Sequence, residues 1–486
     1  MAVRPADVRA TVDRVCARPD VLEACARRDL GAVISALGGA GITQGSIAEL
    51  TGISQGRLSE WKKGKREPKA ATTFQKFADG LGMPPAARRA LGLVGSSPAA
   101  GTTALEPDSP PVLLPYPDTP ANAAQNVAQL WHADLSDAAA LQRGRADARV
   151  WNDAPFRWLV DASHLPSEEP AHGVRIGISD VERFRATVDM FAQLDDRFGG
   201  GHARQALIQY LSTDAGRMLN GRYSEATGRA LFSAVSEATL LAAWMSYDSV
   251  PSSALAQGYF VQALGLAQVG DDRLLGASVL DAMSHQATFL GRFSEAANLA
   301  RAALSGTRGV ATPTLTAHFH TMEARALARL GDAKGCQHAL SEGVREYERG
   351  TLENNPAWFQ YFNDSELSAE FGHCMRDLGK SSDAIRYAGD SLGTDGSPDF
   401  ARSDFFVSIV LADSHLAAGD VEQGCAVALK ALTAGDQIRS ARCVSYLREF
   451  MSHLPTANNN LLADFREQAT GSRLWRIASQ AGKPTS

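Results

Sequence analysis

The sequence has no apolar run approaching the ~20 residues that a membrane span requires, and its opening stretch, MAVRPADVRATVDR, lacks the apolar core of a secretory leader. A cytoplasmic setting is the expectation. Cysteine is scarce: six in 486 residues, at Cys16, Cys25, Cys336, Cys374, Cys425 and Cys443, with no CxxC pair and no regular spacing. That excludes a zinc ribbon and a disulfide framework and predicts buried free thiols. Catalytic signatures are missing as well. There is no GxxxxGK[ST], no strand-associated GxGxxG, no HExxH and no GxSxG, so Gly199-Gly200-Gly201-His202 reads as a helix break. His318 and His320 stand two apart and fall on different faces of a helix, which is no metal-ligand spacing. No enzyme activity, cofactor or metal is expected.

What is present is charge asymmetry. Residues 27–90 carry eleven Lys/Arg against five Asp/Glu, a net +6, whereas the whole chain sums to -6. A small basic segment on a large acidic one suggests a polyanion-binding module joined to a carrier. Seven prolines fall between Pro98 and Pro120, too many for a helix, and predict an extended linker over 93–120. Five units follow: an N-terminal helical extension (1–26), a basic head (27–92), the linker, a helical body (121–475) and a C-terminal tail (476–486).

The body repeats itself. GRYSEA at 221, GRFSEA at 291, GDAKGC at 331, GKSSDA at 379 and GDVEQG at 419 share a turn glycine and a small residue five positions later. Small residues recur seven positions further on, at Ser233, Ala303, Gly343, Ser391 and Ala431, so one helical stripe per phrase can approach a neighbour closely. The glycines are 70, 40, 48 and 40 residues apart, and the first gap fits two units if a turn lies at Val250–Ser253. The pattern resembles tetratricopeptide repeats. The fold expected is all-α, a small helix-turn-helix domain joined by the Pro-rich linker to a tetratricopeptide-like α-solenoid; an unrelated helical bundle is the alternative.

In the head, ITQGSIAELTGISQGRLSEWKKGKREP reads as two short helices about a tight turn. Thr43 caps a helix running through Ile47, Ala48 and Leu50, Gly52 turns the chain, and Ser54 caps a second helix carrying Leu58 and Trp61. Leu37, Ile42, Ile53, Phe74, Phe77 and Leu81 complete the apolar faces. Left outside are Gln55, Arg57, Glu60, Lys62 and Lys63, then Lys65 and Arg66, groups that suit a major-groove helix flanked by phosphate contacts. The stretch resembles the lambda-repressor-like, xenobiotic-response-element (XRE) class of helix-turn-helix domains. That resemblance implies that Gln44, Arg57 and Lys63 meet phosphates while Gln55, Gly56 and Glu60 face base edges, with Ser54 at the start of the recognition helix. Gly56 departs from the pattern by offering no side chain, and Glu60 suits either cytosine N4 or a solvated helix face.

Phrases such as FAQLDDRFGGG (191–201), WMSYD (244–248), MSHQA (283–287) and PAWFQYF (356–362) are similar to actinobacterial NsdA-type regulators. The resemblance implies a transcriptional regulator, a repressor of development or secondary metabolism, acting in the cytoplasm and on the nucleoid. Its expected partners are duplex DNA and a second copy of the chain; a scaffold whose head docks a protein is the other reading. The dimer contact is expected in the body, where Trp358, Phe359, Tyr361 and Phe362 form either a surface or part of the core. For an effector, a small molecule or peptide, or a protein partner, the candidates are Arg197, His202, Arg204, Trp244, Tyr247, Asp248 and His285. Either these line a concave face or Trp244 and Tyr247 pack in the core and Asp248 pairs with an arginine.

Overall fold

Left-handed glycines punctuate the body. The computed structural model describes residues 11–12, 14–16, 18–65, 68, 71–81, 83–91, 114–117, 119–136, 144–160, 173–249, 253–392, 401–456 and 459–480. In it Gly291, Gly331, Gly379 and Gly419 have φ of +75°, +76°, +70° and +89°, a backbone that is inexpensive only without a Cβ. Each closes one helix and lets the next fold back. After Gly331 and Gly419, Asp332 and Asp420 cap the returning helix by accepting from the N–H of Gly335 and Gln423. The small residues that follow are the buried stripe: Ala296, Ala300 and Ala303 in one helix, Gly424, Ala428 and Ala431 in another.

Gly221 is glycine for a different reason. A Cβ there would stand 2.6 Å from Ile176 Cγ1 and 2.7 Å from the Val174 carbonyl oxygen. Segment 174–176 crosses it closely, and Arg175 and Arg222 form an isolated bridge.

The head comprises α1 (Pro19–Ala26), α2 (Leu30–Gly39), α3 (Gln44–Thr51), α4 (Gln55–Lys62), α5 (Ala71–Leu81) and α6 (Pro85–Ala90). The body begins with α7 (Pro120–Ser136), α8 (Ala148–Val160), α9 (Ile178–Phe198), α10 (Arg204–Tyr210) and α11 (Gly216–Leu219), the last two joined through a π-turn at Leu211–Ala215. Consecutive pairs follow: α12 (Glu225–Ser249) with α13 (Ser253–Val269), α14 (Arg273–Phe289) with α15 (Phe293–Gly306), α16 (Pro313–Arg329) with α17 (Ala333–Arg349), α18 (Asp364–Asp377) with α19 (Ser381–Leu392), and α20 (Ala401–Ala417) with α21 (Val421–Ala434). The first helix of each pair also packs on the first helix of the next, and α22 (Ala441–His453) extends that row before α23 (Asn460–Ala469) and α24 (Arg473–Gln480). This is an all-α solenoid, and no strand forms among the described residues. The expected division of the first glycine gap is corrected: α12, α13 and α14 lie between Gly221 and Gly291, so GRYSEA opens the first helix of a pair whereas the other phrases open the second. Of the turn expected at 250–253, residues 250–252 lie outside the described residues.

The row of first helices curves until its ends meet. The α9 helix packs on α20, and α12 on α22. Arg439 donates its N–H to the Phe198 carbonyl at 3.0 Å, and Gly201 donates to the Arg439 carbonyl at 3.3 Å. A Cβ on Gly200 would lie 2.6 Å from the Met245 carbonyl oxygen, so the triple glycine breaks the helix, as expected, and also admits two backbones at close range. Arg402 seals the contact with an ion pair to Asp195 at 2.8 Å.

The chain divides into two compact units, the first ending at Leu105. Residues 93–113 and 118 of the expected linker, and residue 92 at the end of the head, lie outside the described residues. Leu114–Pro117 is seated on α13, where the Gln262 amide donates to the Leu114 and Pro115 carbonyls at 3.4 and 3.2 Å. Of the N-terminal helical extension expected at 1–26, the described Val12, Val15, Cys16, Val21 and Cys25 share one core with Leu37, Leu58 and Phe77. The tail expected from 476 is helical to Gln480 in α24, with Ala478 buried. All six cysteines are free and buried, and among the described residues no helix is long and apolar enough to cross a membrane.

Candidate nucleic-acid interface

Local chemistry builds the head motif. Thr43 Oγ1 accepts from the Ser46 N–H at 3.1 Å and starts α3. Gly52, at φ +60°, ends it in the left-handed region. The turn is then braced: Thr51 Oγ1 donates to the Ile47 carbonyl at 2.6 Å and accepts from the Ile53 N–H at 3.3 Å. Lys76 Nζ, from α5, donates to the Gly52 carbonyl at 3.2 Å. Ser54 stands at the N-cap of α4 but makes no side-chain capping bond, contrary to expectation, and stays exposed. At the far end Gly64 N–H bonds to the Trp61 carbonyl at 3.0 Å and Lys65 N–H to the Glu60 carbonyl at 3.0 Å, a double closure that fixes where the basic tail of the helix leaves.

The two faces of α4 differ completely. Leu58 and Trp61 are buried with Leu37, Ile42, Ile47, Ile53, Phe74, Phe77 and Leu81, the core expected from the sequence except that Leu50 is 43% exposed. Gln55, Gly56, Arg57, Glu60, Lys62 and Lys63 are exposed on the other side, as is Lys65 beyond the helix; Gln44 is half-buried at the start of α3. Arg57, Lys62, Lys63 and Lys65 have no ion pair among the described residues, which leaves their charge available to an anion. Arg66 lies outside the described residues. Two glycines that sequence reasoning passed over set the spacing of the unit: a Cβ on Gly31 would overlap the Trp61 carbonyl, and one on Gly80 would lie 2.5 Å from the Leu50 carbonyl oxygen. Their only sequence signal was glycine inside an otherwise helical pattern.

A short helix, a left-handed turn and a second helix with a buried apolar face and a polar, cationic outer face define a helix-turn-helix DNA-binding domain. Residues 36–87 match the helix-turn-helix family HTH_3, and the head is an XRE-like domain of that class, the DNA-binding unit of a regulator in the general sense. No curated protein matches the chain.

The seven body residues put forward for an effector do not converge. Trp244, Tyr247 and His285 do meet, the Tyr247 hydroxyl lying 3.2 Å from His285 Nδ1 and the Trp244 and His285 ring centroids 5.4 Å apart. Arg442 from α22 lies over the Tyr247 ring at 4.6 Å, so this stretch of the inner face is packed rather than open. Burial, reinforced by the positive charges of Arg325 and Arg442, holds the His285 imidazole well below its ordinary pKa. Asp248 is engaged by Arg442 Nε at 2.7 Å and Ser440 Oγ at 2.6 Å. Arg204 is buried in an ion pair with Asp134 and bonds Ser246 at 2.9 Å. Arg197 and His202 are exposed, each against the Phe198 ring. In the 358–362 run, Phe359 and Phe362 are core residues against His318.

Proposed function

We propose that the chain is a sequence-specific transcriptional regulator of the NsdA type, a repressor controlling development or secondary metabolism in an actinobacterium, which lays α4 in the major groove. The observation that carries this reading is the exposed face of α4, with Gln55 and Arg57 in its first turn and Lys62, Lys63 and Lys65 at its close, the cations without an ion pair among the described residues, over a buried apolar face. The regulator acts by binding, in the cytoplasm and on the nucleoid, without catalysis or cofactor. Its solenoid of tetratricopeptide-like helix pairs serves dimerisation and sensing, since a lone module this small buries too little surface for a specific operator. A gel-shift titration in salt with the full chain tests it. Replacing Lys62, Lys63, Lys65 and Arg66 with Ala removes up to four phosphate contacts and flattens the log–log salt slope by about 0.9 per contact. Equal binding by the two proteins at matched salt refutes the groove assignment.

A further inference from the structure

A cleft lies in the body between the first turns of α12, the α13–α14 turn and the loop that joins α15 to α16. It holds about 680 Å³ and is lined by four arginines, Arg185, Arg229, Arg273 and Arg308, against two aspartates, Asp271 and Asp272. That volume is within the ~300–1,000 Å³ of small-molecule sites and far more than an inorganic ion fills. The arginines differ in how they are paired. Arg185 meets Glu237 at 2.8 Å, and Arg229 meets Asp271 at 2.8 Å and Glu225 at 2.7 Å. Arg273 and Arg308 have no ion pair among the described residues, and Arg308 is exposed.

Uncharged groups hold Arg273 in place. Its Nε donates to the Gly306 carbonyl at 2.9 Å and its Nη1 to the Trp158 carbonyl at 2.8 Å, and the guanidinium carbon lies 3.9 Å from the Trp158 ring centroid. Trp158 is itself confined between two helices, since a Cβ on Gly276 or on Gly306 would overlap its indole. These contacts tie α8 to α14 and α15 through Nε and Nη1 alone; Nη2 has no partner among the described residues. A guanidinium so fixed has given up its rotamer freedom before any ligand arrives. Burial lowers its pKa, as befits a cation without a counter-charge. The bond to Gly306 also brings Arg308, two residues further on, to the same wall of the cleft.

We propose that this cleft binds a phosphorylated, hydroxyl-bearing small molecule, a sugar phosphate or a nucleoside monophosphate, with its phosphoryl oxygens on Arg273 Nη2 and Arg308 and its hydroxyls toward the Asp271 carboxylate. Two guanidinium groups without a counter-charge match the roughly two negative charges of a phosphate monoester at neutral pH, and its three oxygens let both arginines bond it at once. Asp271 accepts from Arg229 through Oδ2 only, so Oδ1 can accept from a ligand hydroxyl. The proposal rests on the sensing role given to the body and supplies its ligand class.

Isothermal titration of the full chain, without DNA, is the test. The probes are ribose 5-phosphate and adenosine 5′-monophosphate, with ribose and adenosine as uncharged counterparts and succinate as a dicarboxylate of like charge. One saturable site per chain is expected for a phosphorylated probe, none for its uncharged counterpart, and weaker binding for succinate. Affinity should fall roughly tenfold or more in Arg308→Gln, through loss of a charge-assisted hydrogen bond. A similar fall is expected in Arg273→Lys, which keeps the charge and loses the fork; thermal unfolding confirms that both variants fold. Affinity should be unchanged in Arg345→Gln on the exposed side of α17, and in a Lys62→Ala, Lys63→Ala variant, which separates the cleft from the basic head. The tighter phosphorylated probe tells a nucleotide from a sugar phosphate. Absence of saturable heat from both, tighter binding of succinate, or undiminished binding by Arg308→Gln overturns the proposal and leaves the reading of the head untouched.

Discussion

The backbone N–H of Gly200 donates to the carboxylate of Asp248 at 3.1 Å. The same carboxylate accepts from Ser440 and Arg442, so residues from α9's exit, α12 and α22 share one buried anion. Burial alone would raise the Asp248 pKa, but Arg442 and Arg402 outweigh it and hold the group below its ordinary value.

Removing one side of that pair should cost more than the pair itself contributes. Arg442→Met leaves a buried carboxylate with only the more distant Arg402, 3.6 Å away, and is expected to destabilise the body by about 3 kcal/mol. Adding Asp248→Asn should recover part of the loss. Denaturant unfolding of the single and double variants at neutral pH measures both.

Two glycines of the head should respond in opposite directions. At Gly31 a Cβ runs into the Trp61 carbonyl, so Gly31→Ala should lower stability by roughly 1–3 kcal/mol. At Gly56 nothing lies within 4 Å of a Cβ, and Gly56→Ala should raise stability by up to about 1 kcal/mol, the helix-propensity difference. Thermal unfolding followed by Trp61 fluorescence compares them.

Gln55 and the lysines should separate by selectivity. Gln55→Ala is expected to relax the preference at one base pair by ~1–3 kcal/mol while leaving the salt slope unchanged. Binding to a set of single-base operator variants shows whether the loss is confined to one position.

Glu366 should make stability depend on pH. Its folded pKa, about 7, lies above its ordinary 4.5, so the folded protein takes up a proton that the unfolded chain does not, and stability falls as pH rises through that interval. Glu366→Gln should therefore unfold at a higher temperature than the parent at pH 8, with the difference vanishing by about pH 4. A Tm difference independent of pH would contradict the assignment.

Phe156, Leu159 and Val160 are 67%, 39% and 63% exposed along one stripe of α8, whose Trp151 and Trp158 are buried on the other side. If the body dimerises through this stripe, Phe156→Glu should convert a dimer into a monomer with unchanged thermal stability, as read by light scattering. Persistence of the dimer would place the contact elsewhere.

The head was legible because its instructions are local: Thr43, Gly52, Leu58 and Trp61 each act on neighbours within one or two turns. The stripes after Gly291, Gly331, Gly379 and Gly419 were legible for the same reason. GRYSEA misled because the same letters at Gly221 answer to a crossing backbone rather than to a left-handed turn. The inner face was beyond reach of pattern, since Asp248 finds Arg442 and Asp195 finds Arg402 across most of the body, and nothing within a few residues of either acid marks its partner.

An array of helix pairs ordinarily frays from its ends, each terminal unit having one neighbour instead of two. Here Asp195 and Arg402, 207 residues apart in sequence, tie the ends together, so neither end is terminal in that sense. Such closure can form only after the intervening helices are in place, which makes it a late event in folding. Contacts made after the transition state act chiefly on the rate of unfolding. The arginine clasp should therefore set how long the folded body persists, and contribute little to how fast it is reached.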